Sequence, residues 1–297
     1  TVAIGLGAVA VLFTVLNALI LRVDDVPDIT QMYEVQRPPQ ASGAQPPFTR
    51  PVFDAMRSET GVFTDAYAAV EAIDLRVDGR MMAVTLVTGN FFQVVRVTPA
   101  MGRALTPADD ERSGGHPVIV LSHRGWDRHF KRDPNVIGRT VLVSDAPFEI
   151  VGVTPEGFRG LDFMGPDFWA PLSQLPAFQA QYLGQEENVV VDIIGRLRPD
   201  LSMEHARAQL AAWDVNRSPQ ANDRRELTID LVPQRGILFQ STEAIAVFAP
   251  LFVAFGLILL IGCANVANLL LARGVARQRE IGVRLSLGAS RTRLVRQ

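Results

Sequence analysis

Two long stretches without a charged residue dominate what this chain can fold into. Thr1–Leu21 carries none, and neither does Ala244–Ala272, a run of 29 residues. A helix that crosses the hydrocarbon core of a bilayer needs about 20 apolar residues. Each run meets that length, so a wholly water-soluble chain is not expected. The predicted arrangement is a membrane helix at 1–22, a second at 244–272, and a folded domain, 23–243, between them.

Charge sets the orientation. From Arg273 onward seven arginines stand against one acid, Glu280, so the tail carries +6 in a chain whose total is −2. Everything before it therefore sums to −8. A basic stretch directly after an apolar span marks the cytoplasmic side. Residues 273–297 are thus expected inside and the intervening domain outside. Thr1–Leu21 also fits a cleaved signal peptide, but no small-x-small site precedes Arg22 and the run is long for a signal core, which favours a retained span. The sequence starts without Met and stops in mid-pattern at Gln297, and is expected to be part of a longer polypeptide. A single cysteine, Cys263, excludes an internal disulfide and a cysteine-based zinc site.

The external segment opens with a proline-rich patch between Arg37 and Pro47. Thr49 is a predicted N-cap for a short helix with Val52, Phe53 and Met56 on one face. Strand patterns follow at Val62–Val77 and Met81–Thr88. Near the far end Val189–Leu197 reads as a strand, Ser202 caps a helix with a Met203, Ala206, Leu210, Trp213 stripe, and Leu227, Ile229 and Leu231 alternate as a half-buried strand. The expected fold class is an α+β extracytoplasmic domain flanked by two transmembrane helices. Its α+β subdomain (23–88 plus 186–240) has two strand–helix–strand units and carries an inserted, mostly β module (89–185). Within that module Thr106-Pro107-Ala108-Asp109-Asp110 reads as a helix start. Pro117–Leu121 is a strand, and Ser122 caps a helix bearing Trp126 and Phe130. Thr140–Ser144 and Phe148–Val153 are strands flanking an Asp145-Ala146-Pro147 turn, ended by Pro155-Glu156-Gly157.

No catalytic set is legible. His123 and His129 are six apart, which does not place them on one helix face, and neither they nor His116 and His205 complete a metal site with carboxylates. Ser122-His123 lacks a nucleophile elbow. Asp109-Asp110-Glu111 reads as helix-capping acids, with cation binding as the alternative, since EF-hand spacing is missing. A phosphate-binding GxxxxGK[ST] loop is absent too. No cofactor and no metal are therefore expected, and the acidic external region argues against nucleic acid.

The second span and its tail read LLIGCANVANLLLARGVARQREIGVRLSLGASRTRLVRQ from Leu259. Asn265 and Asn268 lie in or near the membrane, where unpaired amides are costly. With Gly262 they form a small, polar face suited to helix–helix contact, the alternative being amides that meet water and headgroups at the interface. The helix is expected to run on past Arg273 to about Leu287, with Gly288 ending it and Ser290 capping another. A basic, amphipathic element beside a membrane binds phospholipid by default; its other use is as a docking peg for a soluble partner.

Ala264-Asn265-Val266-Ala267-Asn268-Leu269-Leu270-Leu271-Ala272-Arg273, then Arg279-Glu280-Ile281-Gly282-Val283-Arg284-Leu285 and Leu287-Gly288-Ala289-Ser290, resemble the second membrane helix and coupling region of MacB/FtsX-type ABC transporter permeases. The likeness is nearest to the ATPase-lacking, duplicated permeases first noted in acidobacteria. Val87-Thr88-Gly89-Asn90-Phe91-Phe92, Gly102-Arg103, Val120-Leu121-Ser122 with Trp126, Gly138-Arg139 and Val151-Gly152-Val153-Thr154-Pro155-Glu156-Gly157-Phe158 are similar to that family's periplasmic core domain. The resemblance implies a permease subunit in the bacterial inner membrane that transmits ATP-driven motion outward and is not itself an enzyme. It implies a cytoplasmic ABC ATPase, a second permease copy (homo- or heterodimer), the lipid bilayer and an optional periplasmic adaptor as partners. Carried over by position, Arg279, Glu280, Ile281, Arg284, Leu285, Gly288 and Ser290 would couple to the ATPase, with Gly262, Asn265 and Asn268 at helix-packing positions. The family's further membrane helices and fused ATPase do not occur in this stretch. An alternative is a membrane-anchored sensor or scaffold that regulates an envelope enzyme.

Overall fold

The computed structural model describes residue 7 and residues 26–38, 47–111, 117–161, 165–178, 188–217, 229–234 and 242–286. Its strands are β1 (Met32–Gln36), β2 (Phe63–Val77), β3 (Arg80–Val87), β4 (Met101–Gly102), β5 (Val118–Leu121), β6 (Thr140–Val143), β7 (Ala146–Val153), β8 (Phe168–Pro171), β9 (Asp192–Leu197) and β10 (Asp230–Pro233). The α-helices are α1 (Arg50–Glu59), α2 (Phe91–Val95), α3 (His123–Phe130), α4 (Leu175–Phe178), α5 (Met203–Arg217) and α6 (Thr242–Ser286). All except α6 belong to the unit Val23–Ile237; α6 belongs to a separate one.

Within the first unit, one side of the sheet runs β10-β1-β9-β2, every neighbouring pair antiparallel. Helix α1 joins β1 to β2 across β9, and α5 joins β9 to β10 across β1. These two interlocked strand–helix–strand units make a split β-α-β arrangement, the ferredoxin-like pattern. The two-residue period of strands sorts the side chains. Ala66, Ala68 and Ile193 join one buried cluster with Phe53 and Met56 of α1 and Ala206 and Leu210 of α5. Tyr67, Ala69 and Ile194 join another with Phe91, Phe92, Val94 and Val95 around α2.

Strand β2 is 15 residues long and serves both sides of the fold. Phe63–Ala69 pairs with β9, Ala69–Val77 pairs with β3, and the register shifts between Val70 and Ile73. From there the pairing continues β2-β3-β8-β5-β7-β6 and returns to β2 through Val77 and Val143, which closes a ring. The ring is filled: Leu75, Val84, Ile119, Val141, Phe148 and Phe168, one from each strand, lie in the same buried cluster. Closing the sheet removes exposed edges on this side.

Several expectations are corrected here. The Thr106 start becomes a single 3-10 turn, Pro107–Asp110, rather than an α-helix, closed by a Thr106–Asp109 capping box. Thr49 stands at the N-cap of α1, yet its side chain makes no capping bond. The β6–β7 turn falls at Ser144-Asp145, both at positive φ, so Ala146 and Pro147 are already strand. Met203 is exposed and leaves the α5 stripe to Ala206 and Leu210, with the partly buried Trp213 packed against the same cluster. Ser122 and Ser202 do cap, each accepting from the backbone N–H three residues on. Leu227 lies outside the described residues.

Candidate functional site

Helix α6 is 45 residues long, about 67 Å at 1.5 Å per residue. Pro250 lies inside it, where the ring removes one backbone donor and crowds the carbonyl four residues earlier. The most apolar stretch follows, Gly256–Val275, 20 residues with a mean hydropathy of 1.8 and none of them buried. Twenty residues span about 30 Å, the thickness of a bilayer's hydrocarbon core. Leu257, Ile258, Leu260 and Leu270 are all exposed and, at 100° per residue, are spread around the helix. A helix apolar all round is covered in use, by lipid or by protein.

The residues expected at packing and coupling positions fall on or after this helix. Asn265 and Asn268 are exposed and Gly262 is half-exposed. Their three-residue spacing makes each the neighbour of the next along one side of α6. A Cβ placed on Gly262 would meet nothing, so that side is open to close approach. Arg279, Glu280, Ile281, Arg284 and Leu285 occupy the last described turns of α6. Gly288 and Ser290, with the predicted break between them, lie outside the described residues, as does the expected first span apart from Gly7.

In the other unit the structure assembles a polar cleft that the sequence did not reveal. Asp110, buried, ends the 3-10 turn and receives three donors: Arg50 Nη2 at 2.8 Å, the Gly89 amide at 3.2 Å and the Ser173 amide at 2.8 Å. It thereby ties the start of α1 to the loop after β3 and to the turn after β8. Beside it Asn90 donates to the Ala66 carbonyl and to Asp65, which also takes Arg57 at 3.0 Å. Thr88 donates to Asn90 Oδ1 and accepts from the Ala68 amide. Arg50, Asp54, Arg57, Asn90, Asp110 and Glu111 line a cleft of about 280 Å³. Arg50 pairs with Asp54 and Asp110, and Arg57 pairs with Asp65, which suits a junction between the two halves of the sheet better than a reaction centre. Its neighbour Asp109 has the capping role expected of it. Burial alone would raise its pKa, but Arg103, and Thr106 through both its side chain and its amide, more than offset this and hold the carboxyl below its ordinary value.

A second assembly is built around Arg196 of β9. Its side chain is almost fully buried. Nη1 donates to the Asp28 carbonyl at 3.0 Å, and Nη2 donates to the carbonyls of Pro27 and Val94, each at 3.1 Å. Burial, then the nearby Arg96 charge, lowers its pKa while Asp28 opposes them; a guanidinium stays charged regardless at neutral pH. Asp28 and Arg96 both adopt left-handed φ, 53° and 58°, and their side chains pair at 2.7 Å. Elsewhere His129 lies 3.3 Å from the buried carboxylate of Asp167. Among the described residues, three or more His, Cys, Asp or Glu never gather as a metal site would need.

Residues 1–213 match the family described as the MacB-like periplasmic core domain. The chain belongs to that family. It is 24% identical over 213 residues to a probable syringafactin export ATP-binding/permease protein, SyfD, of Pseudomonas syringae pv. tomato, covering 71% of this chain and 30% of that one. It is 26% identical over 197 residues to the macrolide export ATP-binding/permease protein MacB of Nitrosomonas europaea, covering 64% and 28%. The chain thus spans about 30% of the length of these relatives. Among solved structures, the periplasmic region of MacB from Actinobacillus actinomycetemcomitans superposes with a TM-score of 0.50 at 14% identity, covering 74% of this chain and 92% of that one. That likeness concerns the fold, a mixed α/β domain of the MacB type. The chain carries the periplasmic core domain of a MacB/FtsX-type ABC permease.

Proposed function

We propose that this chain is part of an ABC transporter permease, which carries motion driven by a cytoplasmic ATPase to its periplasmic domain and works in export. The observation that carries the reading is a MacB-like core domain continuous in sequence with α6, a helix with a bilayer-length apolar stretch and a basic end. In this reading 1–22 and 244–272 cross the inner membrane, 23–243 lies outside it, and 273–297 begins the cytoplasmic part. The domain subdivides into 23–88 with 186–240 and an inserted 89–185. The chain performs no chemistry; ATP is hydrolysed by the partner. Arg279, Glu280, Ile281, Arg284, Leu285, Gly288 and Ser290 press on that ATPase. Gly262, Asn265 and Asn268 receive a neighbouring helix of the same or a second permease copy. A stiff helix suits this task, because a rod about 67 Å long passes displacement along its axis. A periplasmic adaptor is a further partner.

The test is co-purification of the full-length permease with ATPases from the same source, followed by ATP hydrolysis in lipid. Permease-dependent hydrolysis that Glu280→Ala or Ile281→Ala abolishes, with the external domain still folded, is the expected result. Unchanged stimulation in both variants refutes the docking assignment. No ATPase partner at all would shift the reading to a membrane-anchored sensor or scaffold for an envelope enzyme.

A further inference from the structure

We infer that Arg196 is the positioning residue that fastens the segment after the first apolar run to the core of the periplasmic domain, so that movement of the run reaches β9 and α2. The inference rests on the transporter reading above and adds the point at which the moving part grips the domain. Leu21 ends the apolar run and Val26 is five residue steps later, at most about 17 Å of extended chain. At Val26 the chain is already held. Val26 is buried in the same apolar cluster as Phe92, Val94 and Ile194, and Ile29 packs against that cluster. Arg196 then grips the backbone itself, through the Pro27 and Asp28 carbonyls, and joins it to the Val94 carbonyl. That last carbonyl lies in the final turn of α2, where helical partners run out.

The choice of residue argues for the role. A buried cation without a counter-ion is expensive, and an apolar side chain of similar volume would suit an ordinary core position better. Among the described residues no carboxylate pairs with Arg196; its donors go to main-chain carbonyls, and Nε has no partner. Lysine could not reproduce the grip, since a fork reaches several carbonyls at once and an ammonium is a point charge on a flexible stem. Holding a backbone by its carbonyls makes the bond independent of which side chains the segment carries. The Asp28–Arg96 pair closes the same connection from outside.

The experiment is hydrogen exchange on the full-length permease in lipid with its ATPase, comparing Arg196→Met and Arg196→Lys with the unaltered protein. At rest, amides in 26–31 are expected to exchange about tenfold faster in Arg196→Met and about threefold faster in Arg196→Lys, since local opening sets the rate. Amides of β2 and β3 should not change. With ATP, Arg196→Met should keep hydrolysis but lose the ATP-driven exchange change in α2 and β9, a readout that a merely stabilising residue would not move. Unchanged exchange in 26–31, or a full ATP-driven response in α2 and β9, overturns the inference. Should Arg196→Met unfold the domain, shown by fast exchange throughout β2 and β3, Arg196→Lys carries the test, and unaltered exchange at 26–31 in that variant overturns it. If the unaltered protein shows no hydrolysis and no ATP-driven change, the transporter reading fails and transmission with it, while the resting rates still decide the fastening.

Discussion

Removing Asp110 should cost this domain more than removing the arginine that faces it. Asp110→Ala leaves two backbone donors, the amides of Gly89 and Ser173, without their acceptor, along with Arg50. A buried donor left unpaired costs about 1–3 kcal/mol. The adjoining cleft of about 280 Å³ admits water and relieves part of this, so the lower end applies and the total is about 3 kcal/mol. For a domain of this size each kcal/mol shifts Tm by about 2–4 °C, which gives a fall of about 6–12 °C. Arg50→Ala removes one of three donors and leaves Asp110 with both amides; about 1 kcal/mol and about 2–4 °C are expected. The double variant should fall short of the sum by about 1 kcal/mol, because the two side chains touch. Thermal unfolding followed by tryptophan fluorescence is the assay, since Trp169 is fully buried. Equal or reversed losses for the two single variants would refute the view that Asp110 holds backbone across the junction.

Three other outcomes can be checked. A Cβ on Gly89 would run into the Thr106 carbonyl and the Pro107 Cα, so Gly89→Ala should lower stability by about 2 kcal/mol or more, read from denaturant midpoints. Burial raises the pKa of Glu34 above 4.5, Asp192 adds to the rise and Gln36 opposes it. A carboxyl bound more tightly to its proton when folded loses stability as pH rises from about 4.5 through the folded value; Glu34→Gln should therefore raise Tm at pH 7, with the gain gone at pH below the unfolded value. Residues 23–240 expressed alone should be soluble and unfold cooperatively, and an aggregated or molten product would show that the boundaries are misplaced.

What the sequence alone determined is local or compositional. Twenty-nine uncharged residues followed by seven arginines are the pattern from which a spanning helix with a cytoplasmic end is expected, because the bilayer excludes charge and the cytoplasmic side collects it. Serine before an apolar stripe was enough to locate α3 and α5, since a cap is satisfied within three residues. Strands β2, β3, β5 and β9 showed through alternation or β-branched content. By contrast β1, five residues beside a proline-rich patch, and β8, four residues ending at Pro171, are too short for periodicity to register. The closed ring is likewise a matter of which strand meets which, and Val77 finds Val143 only in three dimensions. The same holds for the two polar assemblies. Asp110 looked like the end of an acidic cap because nothing nearby in sequence names Arg50 or Ser173 as its partners. Arg196 grips carbonyls 102, 168 and 169 residues away, and a carbonyl belongs to every residue alike, so no side-chain pattern could have announced it.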